Sequence, residues 1–213
     1  MPQPDNDRLR ITASLLVAFY AVGLLGLLTR YQPYFLTLTP FTLLLTAWLL
    51  LAHHTPRHKS LVLYCLLTWL IGFGVEVIGV KTGLPFGHYY YGATLGWQVW
   101  TVPLVIGLNW LVLVYAVGNI LSLLPIHNLT KSLVGALLLV GLDVLIESVA
   151  SRLDFWHWQQ TAIPCLNYVG WYGVSAGLLM LFYQFDFQVH NKLGGYVYMV
   201  LSSFFGLLSW LLP

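Results

Sequence analysis

Seven long apolar segments constrain the fold of this chain more than any other feature. Short polar or Gly/Pro-bearing stretches separate them, and they cover about residues 11–28, 35–52, 60–79, 101–123, 132–152, 167–187 and 193–212. A run of roughly 17–25 apolar residues is long enough to cross the hydrocarbon core of a bilayer as a helix. The sequence therefore predicts an all-α, polytopic membrane helix bundle of about seven transmembrane helices, which forms a single integral-membrane domain over residues 1–213.

The low charge content supports this interpretation. Only 8% of the 213 residues are charged and 59% are hydrophobic, whereas soluble domains carry about 25% charged residues. The net charge of +2 comes from scattered basic residues and indicates no nucleic-acid partner. We expect no cleavable signal peptide, because Met1–Arg10 is short and polar and the apolar run after it lacks a small-residue cleavage site.

The basic residues of the short loops predict an orientation. Six would lie on one side of the bundle and three on the other; the first group is Arg8, Arg10, Arg57, Lys59, Lys131 and Lys192, and the second is Arg30, Lys81 and Arg152. Lys and Arg are enriched in cytoplasmic loops. We therefore expect insertion in the plasma (inner) membrane with a cytoplasmic N-terminus.

The unusual polar residues converge on the opposite, outer side. Glu76 lies in about the last turn of the third apolar segment, and Asp143 and Glu147 lie in the middle and outer half of the fifth. A charged residue within a membrane helix costs about 3 kcal/mol on insertion scales, so such residues are functional candidates. We expect a candidate active site that faces the outer leaflet.

Asp143 and Glu147 are spaced four residues apart and so share one face of a helix. Two close carboxyls in a bundle of low dielectric constant cannot easily both carry a charge, so one is expected to keep its proton at neutral pH. A neutral acid of this kind can protonate an unreactive substrate. The alternative is that each carboxyl only bonds to a neighbouring helix and fixes its packing.

Aromatic side chains cluster on the same side as the carboxyls. Such residues often form an interfacial belt, but these are concentrated at one end, and aromatic faces also stabilise cations. With two asparagines they form our candidate substrate-binding set, which is Tyr89, Tyr91, Asn109, Trp110, Trp156, Trp158, Asn167, Tyr168 and Trp171.

Other membrane enzymes and receptors fit less well. His54 and His58 are four residues apart, which is a possible spacing for metal ligands. Membrane di-iron oxygenases need a larger cluster of histidines, however, and the remaining histidines of this chain are scattered. A rhodopsin-like protein needs a lysine in its last helix, and Lys192 precedes that segment. The sequence has no pair of Asp-rich motifs for Mg²⁺–diphosphate, which disfavours a prenyltransferase. We predict no metal site.

Three motif blocks lie between about residues 70 and 175. The first is Glu76-x-x-Gly79-x-x-Thr82-Gly83-x-Pro85-Phe86-Gly87-x-Tyr89-x-Tyr91. The second holds Pro103 and Asn109-Trp110, and the third holds Asp143, Glu147, Trp156-x-Trp158, Ile163-Pro164, Asn167-Tyr168 and Gly170-Trp171. Together they cover roughly half of the chain, and the combination is specific. The blocks resemble those of the CruF-type carotenoid biosynthesis family of integral-membrane hydratases.

The resemblance implies a carotenoid hydratase that needs no cofactor. Its substrate would be an acyclic, lycopene-like end group of a C40 carotenoid such as γ-carotene, or of a C50 bacterioruberin precursor. The low acid content, seven residues in 213, is unlike that of extreme halophiles and favours the C40 class. Water would add across the terminal carbon–carbon double bond and give a tertiary alcohol. The lipid bilayer and other membrane enzymes of carotenoid synthesis would be its surroundings and candidate partners.

We assign the catalytic roles from the chemistry of the residues. Asp143 or Glu147 would protonate the alkene, and Glu76 or the other member of the pair would orient the water as a base. Two alternatives stay open: a carotenoid- or lipid-binding protein without catalysis, and a cyclase or lyase that forms the same cation without capturing water.

Overall fold

Eight helices and four very short strands make up the structure, a computed structural model that describes residues 4–54, 59–185, 187 and 191–212. The helices are α1 (Pro4–Leu27), α2 (Gln32–Thr37), α3 (Thr39–Ala52), α4 (Lys59–Thr82), α5 (Val105–Ser122), α6 (Asn128–Ala150), α7 (Cys165–Gln184) and α8 (Leu193–Leu211). The strands are β1 (Tyr89–Tyr91), β2 (Gln98–Val99), β3 (Val102–Pro103) and β4 (Trp156–Trp158).

The predicted all-α membrane bundle is confirmed. Within the described residues, six helices are long and apolar enough to cross a membrane, namely α1, α4, α5, α6, α7 and α8. The apolar helix α3 is shorter, at 14 residues. Helices suit this environment because lipid offers no hydrogen bonds, so each spanning segment must satisfy its own backbone groups.

Two of the predicted segments do not form one continuous helix. The segment predicted at 35–52 is divided between α2 and α3, with Leu38 between them and Pro33 and Pro40 in the first turn of each helix. Proline lacks a backbone N–H and suits the start of a helix, so this sequence favours two helices over one. The segment predicted from residue 101 begins as a helix only at Val105, because Val102 and Pro103 pair with β2.

Helix α5 lies at the centre of the bundle. It packs against α3, α4, α6, α7 and α8, and most of its side chains are buried, including Trp110 and Tyr115. Glycines permit two of these close approaches: a Cβ at Gly72 would lie 2.6 Å from Trp110, and a Cβ at Gly107 would lie 2.7 Å from the Trp69 carbonyl oxygen. The core therefore surrounds the helix that carries Asn109 and Trp110.

The loops divide between two ends of the bundle. The end that holds residues 83–104 and 151–164 is named the site end here. At the opposite end, the Tyr115 hydroxyl lies 2.6 Å from Nδ1 of His54, and Asn191 donates from its side chain to the Leu50 carbonyl and from its backbone to Asn119. The helix order places Lys59, Lys131 and Lys192 at the opposite end and Lys81 and Arg152 at the site end. Arg57 lies outside the described residues, and the orientation in the membrane stays a prediction.

A three-residue antiparallel ladder joins the two long loops of the site end. Tyr89 pairs with Trp158, Tyr90 with His157, and Tyr91 with Trp156. The backbone N–H of Ala93 adds a bond of 2.8 Å to the Asp154 carboxylate. A hydrogen bond to His157 holds the pKa of Asp154 below its usual range, so this carboxylate keeps its charge at neutral pH. The ladder is the device that positions the candidate site.

Candidate active site

The first half of the site is built by the turn that follows α4. Gly83 and Gly87 have φ angles of +77° and +112°, which favour glycine, and they reverse the chain into β1. Side chains alternate along a strand, so Tyr89 and Tyr91 point to one face and Tyr90 to the other. The first two return to Glu76 near the end of α4, while Tyr90 stacks on His157 at the surface.

Three donors surround the buried Glu76 carboxyl. The Tyr89 and Tyr91 hydroxyls donate to Oε2 at 2.5 and 2.8 Å, and the Trp110 indole N–H donates to Oε1 at 2.9 Å. Burial raises the pKa of Tyr89 and of Tyr91 above the ordinary value, and the neighbouring Glu76 charge raises it further. Both phenols therefore keep their protons and remain donors.

The second half of the site mirrors the first across the ladder. Trp156 and Trp158 of β4 pair with Tyr91 and Tyr89 and therefore point to the same face of the ladder as the two tyrosines. The Trp156 indole N–H donates to Oε1 of Glu147 at 3.1 Å, and that of Trp158 donates to Oε2 at 2.9 Å. One ladder thus presents two phenols to one glutamate and two indoles to the other.

Asp143 lies one helical turn from Glu147 and is fully buried. The Asn167 amide N–H₂ bridges the pair, with 2.9 Å to Oδ2 of Asp143 and 3.4 Å to Oε1 of Glu147. Within the described part of the chain, Oδ1 of Asp143 is a buried atom without a hydrogen-bond partner. Asp143 can therefore act on the site through Asn167 and Glu147.

A small polar cavity lies between the two glutamates. Its volume is about 20 Å³, and a site of this size holds about one water molecule. Glu76 and Glu147 contribute to its wall together with two asparagines and a ring of aromatic residues, and the full lining is Glu76, Phe86, Tyr89, Tyr91, Ile106, Asn109, Trp110, Glu147, Trp156, Trp158, Asn167 and Trp171. The arrangement can hold a polar molecule between two carboxyls.

A larger apolar groove adjoins this polar cavity. Its volume is about 360 Å³, and its walls come from α1, α2, α3, α5, α6, α8 and the two site-end loops. Ile106, Asn109 and Trp156 line both spaces, so these three residues form the junction between them. An apolar molecule in the groove can reach the polar cavity at this junction.

Most residues that we selected from the sequence meet at the polar cavity. All but Asp143 and Tyr168 line it; Asp143 lies behind Asn167, and Tyr168 is half-buried on α7 beside the carboxyls. The sequence analysis missed Phe86 and Ile106 as lining residues. Phe86 stands inside the first quoted block and offered a signal, whereas Ile106 is one apolar residue among many in a buried helix.

The groove walls of α1, α2, α3 and α8 were also missed. Tyr20 and Phe204 illustrate the reason, because both belong to apolar helices whose pattern carries no sign of a ligand. Their rings pack edge to face, with centroids 5.2 Å apart. Packing between helices distant in sequence creates this space, and one sequence alone does not reveal it.

His54, the first member of the histidine pair, is far from this site. His54 is buried at the opposite end beside Tyr115, and His58 lies outside the described residues. In the described ranges, no group of three or more His, Cys, Asp or Glu side chains is placed to hold a metal ion.

Comparison with known proteins agrees with the motif blocks. A family described as carotenoid biosynthesis protein matches residues 31–209. The chain belongs to this carotenoid biosynthesis family. The family match includes every carboxyl and aromatic residue of the polar cavity.

One curated relative extends the comparison. A bisanhydrobacterioruberin hydratase of Haloarcula japonica is 29% identical over 181 residues, which is 79% of this chain and 59% of the relative. The chain therefore spans about three fifths of the length of that relative. No solved structure matches this member of the carotenoid biosynthesis family.

Proposed function

We propose that this protein is a carotenoid hydratase that adds water across the terminal double bond of an acyclic carotenoid end group. The observation that carries the proposal is the junction of an apolar groove with a one-water cavity between Glu76 and Glu147. Hydration of an isolated alkene needs an acid, a water molecule and an apolar binding surface at one point. Membership of the family and the name of the relative, a bisanhydrobacterioruberin hydratase, support the same reaction.

The groove suits the end of a polyene rather than a whole carotenoid. Its volume of about 360 Å³ lies near the lower limit of ligand pockets, which measure about 300–1,000 Å³. The rest of the chain would stay in the bilayer, and the substrate would enter sideways between helices. C40 and C50 carotenoids with open ends both satisfy this requirement.

The reaction conserves electrons and needs no oxidant. The π pair of the terminal double bond takes a proton from a carboxylic acid and forms a C–H bond at the less substituted carbon. The adjacent tertiary carbon becomes a cation, and a lone pair of water forms the C–O bond. A carboxylate then removes the extra proton and leaves a tertiary alcohol. No nicotinamide, flavin or metal takes part.

The hydrogen bonds distinguish the carboxyls. Glu76 accepts hydrogen bonds from two phenols and an indole and shares none of these donors with another carboxyl, so we assign it as the base and as the counter-charge to the cation. Glu147 shares Asn167 with the fully buried Asp143, and two coupled carboxyls titrate as a pair that retains a proton easily. Glu147 faces the cavity and delivers that proton, while Asp143 supports it from behind.

Aromatic rings complete the cation-binding wall. Trp110 stacks on Trp171 with centroids 4.3 Å apart, and Tyr89 lies 5.3 Å from Trp158. All four line the polar cavity. A cation within about 6 Å of an aromatic face gains about 0.5–2 kcal/mol, and this gain is available only once the alkene is protonated. The wall therefore favours the transition state over the neutral substrate.

Product mass tests the proposal. Purified protein in liposomes, given an acyclic carotenoid without oxygen or reductant, should yield a product heavier by 18 Da. The new hydroxyl should carry ¹⁸O from H₂¹⁸O, and one carbon-bound deuterium should enter from D₂O. An unchanged mass would indicate binding or cyclisation, and label from ¹⁸O₂ would indicate an oxygenase.

Carboxamide variants test the assigned residues. Glu147→Gln, Glu76→Gln and Asp143→Asn should each lower turnover, because a positioned general acid contributes about 10²- to 10⁴-fold. Asp154→Asn is the matched control, since Asp154 is a half-exposed carboxylate that bonds to His157 and Ala93 outside the cavity. Full activity in the three site variants would refute the acid mechanism.

A further inference from the structure

The Asn109 carboxamide stands alone at the junction of the two cavities. It lies on α5 one turn after Val105 and directly before Trp110, and it lines both the apolar groove and the polar cavity. Among the described residues, the structure records no hydrogen bond for its side chain. Asn109 is half-buried, and an amide that lines a cavity without a protein partner is costly unless a polar ligand binds it.

The other polar groups of the cavity already have partners. Glu76 accepts from two phenols and an indole. Glu147 accepts from the two indoles of β4, and Asn167 donates to Glu147 and Asp143. Asn109 thus offers an N–H₂ donor and a carbonyl acceptor at the point where an end group in the groove would meet the small cavity.

We infer that Asn109 holds the reacting water and thereby directs the cation to hydration. The inference rests on the proposed function. A tertiary cation has two outcomes in this site. Water can attack it, so that the C–O bond forms and the water proton passes to Glu76. Alternatively, a neighbouring C–H bond breaks, its electron pair restores a double bond, and Glu76 takes that proton.

The position of the water molecule decides between these outcomes, because Glu76 can serve as the base in both. The Asn109 carbonyl can accept one water hydrogen and point an oxygen lone pair at the cation. Without this contact the water is disordered, and proton loss returns the alkene or an isomer of it. Asn109 is therefore a catalytic residue for water capture but dispensable for protonation.

Deuterium exchange separates the two steps. Asn109→Leu keeps about the same volume and removes both hydrogen-bonding groups. In D₂O it should form alcohol about 10²- to 10³-fold more slowly, the usual effect of removing one oriented hydrogen-bonding group. Recovered alkene should still gain deuterium, because the acid is unchanged. The rate of this exchange should lie within about tenfold of the rate at which the unaltered protein protonates the alkene, measured as alcohol and exchanged alkene together.

Two variants provide matched controls. Leu108→Ile alters the residue beside Asn109 on α5, which lines neither cavity, and removes no polar group, so its ratio of alcohol to exchanged alkene should stay unchanged. Asn109→Ser retains a hydroxyl that can bind water and should recover part of the alcohol. If Asn109→Leu fails to fold, the same ratio measured in Asn109→Ser and Asn109→Ala decides the question.

Each result has one meaning. Deuterium exchange without alcohol in Asn109→Leu supports the role in water capture. Unchanged alcohol formation overturns it, and so does a loss of exchange together with alcohol in a folded variant, since Asn109 would then serve binding or protonation. Failure of the proposed function is distinct, because the unaltered protein would then form no alcohol.

Discussion

The two glutamates should respond differently to the same substitution, because their hydrogen-bond donors differ. A glutamine has one acceptor oxygen and one N–H₂ group in place of two acceptor oxygens. At Glu147 both oxygens accept from indole N–H groups, those of Trp156 and Trp158. An indole N–H can only donate, so Glu147→Gln must set one N–H against another inside the bundle.

Glu76→Gln avoids this conflict. Oε2 of Glu76 faces the hydroxyls of Tyr89 and Tyr91, and Oε1 faces the Trp110 indole. A hydroxyl can turn and accept, so the two hydrogens of a glutamine N–H₂ can bind the two phenols while its oxygen keeps the indole. The network survives with a reversed direction of donation.

The magnitude follows from the bonds lost. A hydrogen bond contributes about 0.5–1.5 kcal/mol, and a buried donor left unpaired costs about 1–3 kcal/mol. We expect Glu147→Gln to lower stability by about 2–3 kcal/mol and Glu76→Gln by about 1 kcal/mol. For a chain of this size, each kcal/mol corresponds to roughly 2–4 °C in Tm.

Thermal unfolding in detergent micelles, followed by tryptophan fluorescence, measures the difference. Trp158→Phe is the decisive partner, because it removes the indole that opposes the new amide. Combined with Glu147→Gln it should cost less than the sum of the two single changes, whereas with Glu76→Gln the costs should add. Equal Tm values for both glutamine variants, or additive costs for the Glu147–Trp158 pair, would refute the donor assignment.

Three further predictions concern packing, the opposite end and topology. Gly170→Ala should lower Tm and activity, because its Cβ would lie 2.6 Å from the Pro85 carbonyl oxygen, whereas Gly173→Ala on the same helix meets nothing within 4 Å and should be neutral in both assays. His54→Ala should lower Tm by removing a buried bond, but turnover per folded molecule should stay within a few-fold; an inactive folded variant would reopen a metal role. In a variant without the native cysteines, Thr94→Cys should react with an impermeant maleimide from outside and Ile126→Cys only after permeabilisation; labelling of both from one side would contradict the topology.

The membrane bundle could be predicted from the sequence because long apolar runs have few alternatives in lipid. The predicted and the observed helices differ where a proline or a hairpin interrupts an apolar run. Pro40 divides an apolar run that reads as one span, and Val102 joins a hairpin although it belongs to an apolar stretch. Hydropathy measures whether a segment is apolar, but not which partners its backbone hydrogen bonds have.

The members of the site could be selected, but not their arrangement. Alternation along β1 and β4 suggests that Tyr89 and Tyr91 share a face, as do Trp156 and Trp158. Their pairing across the ladder depends on the register of two strands whose paired residues are 65 to 69 positions apart, and one sequence alone does not reveal that register. For the same reason Asp143 and Glu147 appeared equivalent, although only Glu147 lines the cavity.

The ladder at the site end also affects how the protein responds to bilayers of different thickness. Bilayers differ in thickness, and helices respond by tilting. The ends of α4 and α6 that follow Glu76 and Glu147 are joined through β1 and β4, whose hydrogen bonds do not depend on lipid. By contrast α3, with 14 residues and a length of about 21 Å at 1.5 Å per residue, is shorter than a hydrocarbon core and lines the groove. Changes in thickness should thus alter how readily a carotenoid enters, while the spacing of the two glutamates stays constant.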